Sequence, residues 1–103
     1  MQVFFIDRFI MPVASKEAFL QRANINRSLI KTLPGFVEDN FYEQYSDGQY
    51  RCVTVAVWQD EQAIANARSV VTEEYKRQGF DMPAMMKQLN IQMERGVYNR
   101  LAE

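Results

Sequence analysis

The sequence predicts an α+β fold: a ferredoxin-like βαββαβ chain whose four-stranded antiparallel sheet carries its helices on one face. Three observations predict it. Four short segments are rich in β-branched and aromatic residues, two longer segments space their apolar residues at a helical period, and the two kinds follow one another as strand, helix, strand, strand, helix, strand.

Each element has its own signal. Val3 to Met11 reads as the first strand, with Val3, Phe5 and Phe9 on one alternating face and Phe4, Ile6 and Ile10 on the other, broken only by Asp7 and Arg8. Pro12 ends it. Ser15 is placed to cap a helix that carries Glu17 in its first turn and runs to about Thr32. Its inner face is Phe19, Ala23, Asn26, Ile30 and Leu33, and Leu33-Pro34-Gly35 stops it. Phe36 to Tyr45 is the second strand, with Val37, Phe41 and Tyr45 on one face. Ser46-Asp47-Gly48-Gln49 is a hairpin turn with Asp-Gly at its centre, so the third strand, Tyr50 to Trp58, pairs antiparallel to the second. Asp60 caps a second helix, to about Gln78, with Ile64, Ala67, Val71 and Tyr75 inward and a Glu73–Arg77 pair outward. Gly79 closes it. Asp81-Met82-Pro83 can cap a short helical turn through Met86, and Asn90 to Tyr98 is the fourth strand, with Ile91, Met93 and Val97 on one face.

Composition narrows the function. A chain of 103 residues is expected to be one domain, 1–103. Twelve basic and thirteen acidic residues give a net charge of −1, with no basic stripe for nucleic acid and no polybasic run for a membrane surface. No apolar run is long enough to span a bilayer, and the apolar N-terminus lacks the basic start of a signal peptide, so a cytoplasmic protein is expected. Cys52 is the one cysteine; in a β-branched run it reads as a quiet buried thiol. Histidine is absent. That removes the commonest general base and metal ligand together, excludes Ser-His and Cys-His nucleophilic chemistry, and leads to an expectation of no metal and no cofactor.

Two helices cover one face of a sheet, yet the first strand is apolar on both faces. The third sets Val53, Val55 and Val57 against Cys52, Thr54, Ala56 and Trp58. A bare face of this kind predicts a second copy packed sheet to sheet, hence a homodimer. Small residues beside one large ring leave room under a helix, so a cavity is expected between sheet and helices, with the valines at the dimer contact. The bland alternative is that Phe19 and Tyr75 fill that room. The same plan serves RNA-recognition and metal-carrier domains, but the third strand lacks the stacking aromatics and glycine of the first, and no Cys-x-x-Cys supports the second.

Asp7 is a carboxylate inside an apolar strand, costly if buried without a partner. It reads as a general base or hydroxyl acceptor, as half of an ion pair with Arg22 or Arg68, or as a residue at a solvated bulge. Arg68, ten residues past Trp58, is either a surface arginine or a cation that holds an oxyanion. Tyr42, Tyr45, Tyr75 and Tyr98 suit amphipathic packing.

At the junction of third strand and second helix, Val57-Trp58-Gln59-Asp60-Glu61-Gln62-Ala63 resembles the antibiotic biosynthesis monooxygenase family of dimeric α+β barrels. Leu33-Pro34-Gly35-Phe36 is similar to that family's turn into the second strand. The resemblance spans Val3 to Tyr98. It implies a homodimer with a pocket in each subunit, and activities such as cofactor-independent oxygenation of quinol-like aromatics or oxidative haem degradation. Haem-degrading members use an asparagine, a tryptophan and a histidine; Asp7 and Trp58 would occupy the first two positions and Arg68 lies near the third, so the missing histidine disfavours haem. The reading is a monooxygenase that binds an aromatic or quinol-like molecule with O2. Asp7 and Trp58 would be catalytic, and Phe5, Phe9, Phe19, Ala23, Asn26, Thr54, Ala56, Arg68 and Tyr75 would line the substrate site. The alternative is a non-catalytic homodimeric barrel that binds a small apolar ligand or serves assembly alone.

Overall fold

The computed structural model describes residues 1–102. β1 (Val3–Pro12) leads through a 3-10 turn at Val13–Ser15 into α1 (Lys16–Ile30); β2 (Phe36–Ser46) and β3 (Gln49–Trp58) form a hairpin; α2 (Glu61–Gln78) and α3 (Met82–Gln88) precede β4 (Gln92–Asn99). The sheet order is β2-β3-β1-β4 with every neighbouring pair antiparallel. β1 and β3 are therefore central, and α1 and α2 each link a central strand to an edge strand. This is the ferredoxin-like α+β plan. No helix among the described residues is long and apolar enough to cross a membrane.

Local chemistry explains the boundaries. Asp47 (φ 53°) and Gly48 (φ 73°) both take left-handed backbone, as a two-residue hairpin turn requires. The Asp60 carboxylate accepts the Ala63 N–H at 2.9 Å, and Asp81 does the same for Ala84 at 3.1 Å, so α2 and α3 start where acidic caps put them. Gly79 terminates α2.

Several expectations are corrected. Ser15 does not cap α1: its hydroxyl donates to the Leu89 carbonyl at 2.7 Å instead, tying the start of α1 to the end of α3. α1 stops at Ile30, two residues early, and α3 runs two residues further than Met86. β4 begins at Gln92, because Asn90 sits at φ 56° and breaks the strand. A bulge between Phe36 and Glu38 takes Val37 out of the alternation, leaving it 44% exposed, while Phe41 and Tyr45 keep one phase. On the outside of α2, Arg77 pairs with Glu74 rather than Glu73, which faces Lys76 at 3.7 Å.

Packing divides the helix-covered face into two apolar clusters. Val3, Ala56 and Trp58 meet Ala63, Ile64 and Ala67 of α2 at one end. Phe9, Met11, Tyr50 and Cys52 meet Phe19 and Ile91 at the other. Between them one register row crosses the whole sheet as Phe41, Thr54, Asp7, Arg95. Among the described residues no helix covers the opposite face. The molecule is only 17 Å through its shortest axis, the depth of one sheet and one helix layer. Phe4, Ile6 and Ile10 of β1 and Val53 and Val55 of β3 lie half-buried on that bare face, with Tyr42 and Tyr98 exposed at its margins.

Candidate functional site

A cavity of about 300 Å³ lies between the sheet and the two long helices. Its floor is the polar register row. β1 points Phe5, Asp7 and Phe9 into it, and β3 points Thr54, Ala56 and Trp58, because both strands expose alternate residues to the helix side. α1 supplies Phe19, Ala23 and Asn26 at helical spacing, and α2 supplies Ala67, Arg68 and Tyr75. All eleven sequence-predicted site residues thus line one cavity. Cys52 does not: it is sealed in the cluster with Phe9 and Phe19, and burial pushes its thiol above the ordinary range. Phe19 and Tyr75 border the space without filling it. Trp58 is both wall and core. It is 4% exposed, packs in the α2 cluster and meets Phe36 edge-on at 5.5 Å.

Asp7 is buried, at 7% exposure, and its partner is neither Arg22 nor Arg68. Strand pairing sets it opposite Arg95, whose Nε donates to Oδ1 at 2.8 Å and Nη2 to Oδ2 at 3.0 Å. This two-pronged contact is the strong geometry for an arginine and a carboxylate. It also holds the Arg95 guanidinium above its ordinary pKa. Each Asp7 oxygen takes one of these bonds, so each keeps capacity for another donor. Arg95 also lies 4.9 Å from the Phe5 ring centroid.

Sequence reasoning missed three more polar groups on this wall. Arg95 is the first. Its signal was available, since it shares the inward phase of Met93 and Val97 just as Asp7 shares that of Phe5 and Phe9. Arg27 and Asp39 are the second, paired at 2.7 Å with Arg27 over the Phe41 ring at 4.4 Å; the signal for Asp39 was also available, since it shares the inward phase of Phe41. Arg22 is the third. It stacks 3.6 Å from the Phe80 ring centroid and donates from Nη2 to Gln78 Oε1 at 2.7 Å. The Tyr75 hydroxyl is held above its ordinary pKa by burial, with Arg22 and Arg95 pulling it the other way.

The chain is similar in fold to several solved structures. A single-residue variant of SnoaB, a cofactor-independent oxygenase from Streptomyces nogalater, matches at 24% identity over 99% of this chain and 95% of that one, with a TM-score of 0.69. A protein from Nitrosomonas europaea assigned as an antibiotic biosynthesis monooxygenase matches at 14% identity over 97% and 90%, TM-score 0.72. A dimeric ferredoxin-like protein from an uncultured marine organism matches at 9% identity over 100% and 99%, TM-score 0.70. The fold is thus the one found in monooxygenases of this kind. No protein-family model and no curated protein sequence matches the chain.

Proposed function

We propose that this chain is a cofactor-independent monooxygenase acting on a small phenolic or quinol-like aromatic in the cavity beside Trp58, and that it works as a homodimer. The observation that carries the reading is the cavity itself. It is enclosed by Phe5, Phe9, Phe19, Phe41, Trp58 and Tyr75, with a charge-compensated carboxylate on its floor. Aromatic walls with few convergent polar groups suit a planar ligand. The fold-level similarity to SnoaB raises the prior for oxygenation and does no more.

In this reading Asp7 accepts the phenolic proton, and Arg95 fixes its orientation. The resulting phenolate is electron-rich enough to give an electron to O2. Recombination at a ring carbon bearing hydrogen makes a hydroperoxide, and loss of water leaves a carbonyl there. The sum is phenol plus O2 to quinone plus water, with all four electrons drawn from the substrate. Arg68, exposed at the cavity wall, steadies the negative charge. The bare apolar sheet face supports the homodimer, which sedimentation at micromolar concentration tests; a monomer there would reject it.

The test of activity uses 1,5-dihydroxynaphthalene in the dark. The expected result is one O2 consumed per 5-hydroxy-1,4-naphthoquinone formed, without hydrogen peroxide, and loss of turnover in Asp7→Asn. No quinone above the enzyme-free rate refutes the reading. One observation favours the alternative, a binding module without chemistry: both Asp7 oxygens are already bonded to Arg95, as a purely structural pair would be. Unchanged turnover in Asp7→Asn would remove Asp7 as the base.

A further inference from the structure

We infer that the ligand of this cavity is an anion, an aromatic hydroxy acid whose carboxylate is held by Arg22 and which donates to Asn26 a hydroxyl other than the one that reacts at Asp7. The inference rests on the cavity being a ligand site, as proposed above, and adds the chemical class of the ligand.

Charge is the first argument. The chain as a whole carries −1, yet the cavity wall holds four arginines against two aspartates. The charge of both aspartates is compensated. Asp7 is paired with Arg95 and Asp39 with Arg27. Among the described residues no carboxylate pairs with Arg22 or Arg68. A wall of apolar rings with two uncompensated cations attracts an anion and disfavours a cation of the same shape.

Hydrogen bonding is the second argument, and it selects Arg22. Its guanidinium carbon lies 3.6 Å from the Phe80 ring centroid and 5.1 Å from that of Tyr75, and Nη2 donates to the neutral Gln78 oxygen. Stacking fixes the plane of an arginine and leaves its edge for ligands. On that edge Nε is buried with no partner. One helical turn along α1, Asn26 Oδ1 is also buried with no partner. Buried polar atoms left unpaired are uncommon because each forfeits its hydration. Here one is a charged donor and the other an acceptor. Positions four apart on a helix face the same way with roughly 5–6 Å between their Cβ atoms. A carboxylate on Arg22 and a nearby phenolic hydroxyl on Asn26 would satisfy both at once. Arg68 is exposed, so water satisfies it without a ligand.

Isothermal titration calorimetry of the full chain at low salt tests this with 4-hydroxy-2-naphthoate, 1-naphthol and 2-naphthoate; the meta hydroxyl of the first is too far from its own carboxylate to donate to it. The wild type is expected to bind 4-hydroxy-2-naphthoate at least about tenfold more tightly than 1-naphthol, the scale of one charge-assisted contact. The ratio should shrink as salt is raised. Arg22→Gln should bring it below about threefold, and Asn26→Leu should erase any preference for 4-hydroxy-2-naphthoate over 2-naphthoate. Equal affinity of the wild type for the acid and the neutral naphthol overturns the inference and leaves the cavity reading standing, a result that needs no variant. A preference that survives Arg22→Gln and disappears in Arg68→Gln also overturns it, by moving the carboxylate to Arg68. Binding of none of the three rings rejects both readings together.

Discussion

Replacing Arg95 with methionine removes the one charged partner that a buried carboxylate has among the described residues, while keeping an unbranched side chain of similar reach. The cost can be bounded from the structure. Breaking a buried ion pair from one side typically costs about 3–5 kcal/mol, because the remaining charge is left without compensation. The Asp7 side chain is only 10% exposed, but that of Arg95 is 42% exposed, so water reaches the pair and the figure falls to about 2–4 kcal/mol. Asp7→Asn is the informative mirror image. It strands Arg95, which can turn its half-exposed guanidinium to solvent, so it should cost only about 1–2 kcal/mol. The double variant Asp7→Asn/Arg95→Met removes both charges from among Phe5 and Phe9 and should cost clearly less than the sum of the singles. Urea unfolding at one protein concentration, followed by the fluorescence of the single tryptophan, measures all three. Equal costs for the two single variants, or additive costs in the double, would refute the claim that the burial of Asp7 makes the pair asymmetric.

Three further outcomes follow from the same packing. Trp58→Ala should cost about 3–5 kcal/mol despite the cavity beside it, since the ring is almost fully buried against α2; a loss under about 1 kcal/mol on denaturant unfolding would show that the ring contributes cavity wall and little core. Gly35→Ala should destabilise by about 2–4 kcal/mol, combining a left-handed backbone position (φ 84°) with a new Cβ driven into the Ala63 side chain; thermal unfolding reads it, and a neutral result would mean the turn shifts freely away from α2. Stability should fall as pH rises above about 9. Burial raises the Cys52 thiol, and burial with the Glu43 hydrogen bond raises the Tyr50 hydroxyl, so the unfolded chain releases these protons first, and stability present below their ordinary values is lost above them. Urea midpoints from pH 8 to 10.5 should show a shallower decline in Tyr50→Phe; an unchanged slope would sink the assignment.

The elements that were legible in the sequence are those whose signals are local. Asp60 and Asp81 cap α2 and α3 because an acidic side chain reaches the backbone three residues on, and nothing tertiary competes. Asp47-Gly48 fixes the hairpin for the same reason. The misses arise where a distant partner wins. Ser15 has the right chemistry and position to cap α1, but the Leu89 carbonyl, seventy-four residues away, takes its hydroxyl. The bulge at Val37 leaves no local mark and takes that residue out of the alternation, whereas Asp39 keeps the phase of Phe41, and only its pairing with Arg27 of α1 depends on tertiary placement.

The cavity lining was legible because a lining follows from alternation alone: strands of known phase under helices of known phase leave few choices. The polar partners follow from register, and register is a property of two strands at once. Asp7 on β1 and Arg95 on β4 are each an isolated charge in an apolar phase, and only the antiparallel alignment of the first strand with the last sets them opposite each other. With that pair formed and Arg27 paired to Asp39, the negative charge of the wall is compensated. The identity of the ligand then turns on what remains, the unpartnered edge of Arg22 and the oxygen of Asn26 one turn away. The feature that says most about the substrate is thus set by pairings among other residues. No inspection of Trp58, or of the strand that ends in it, could have located it.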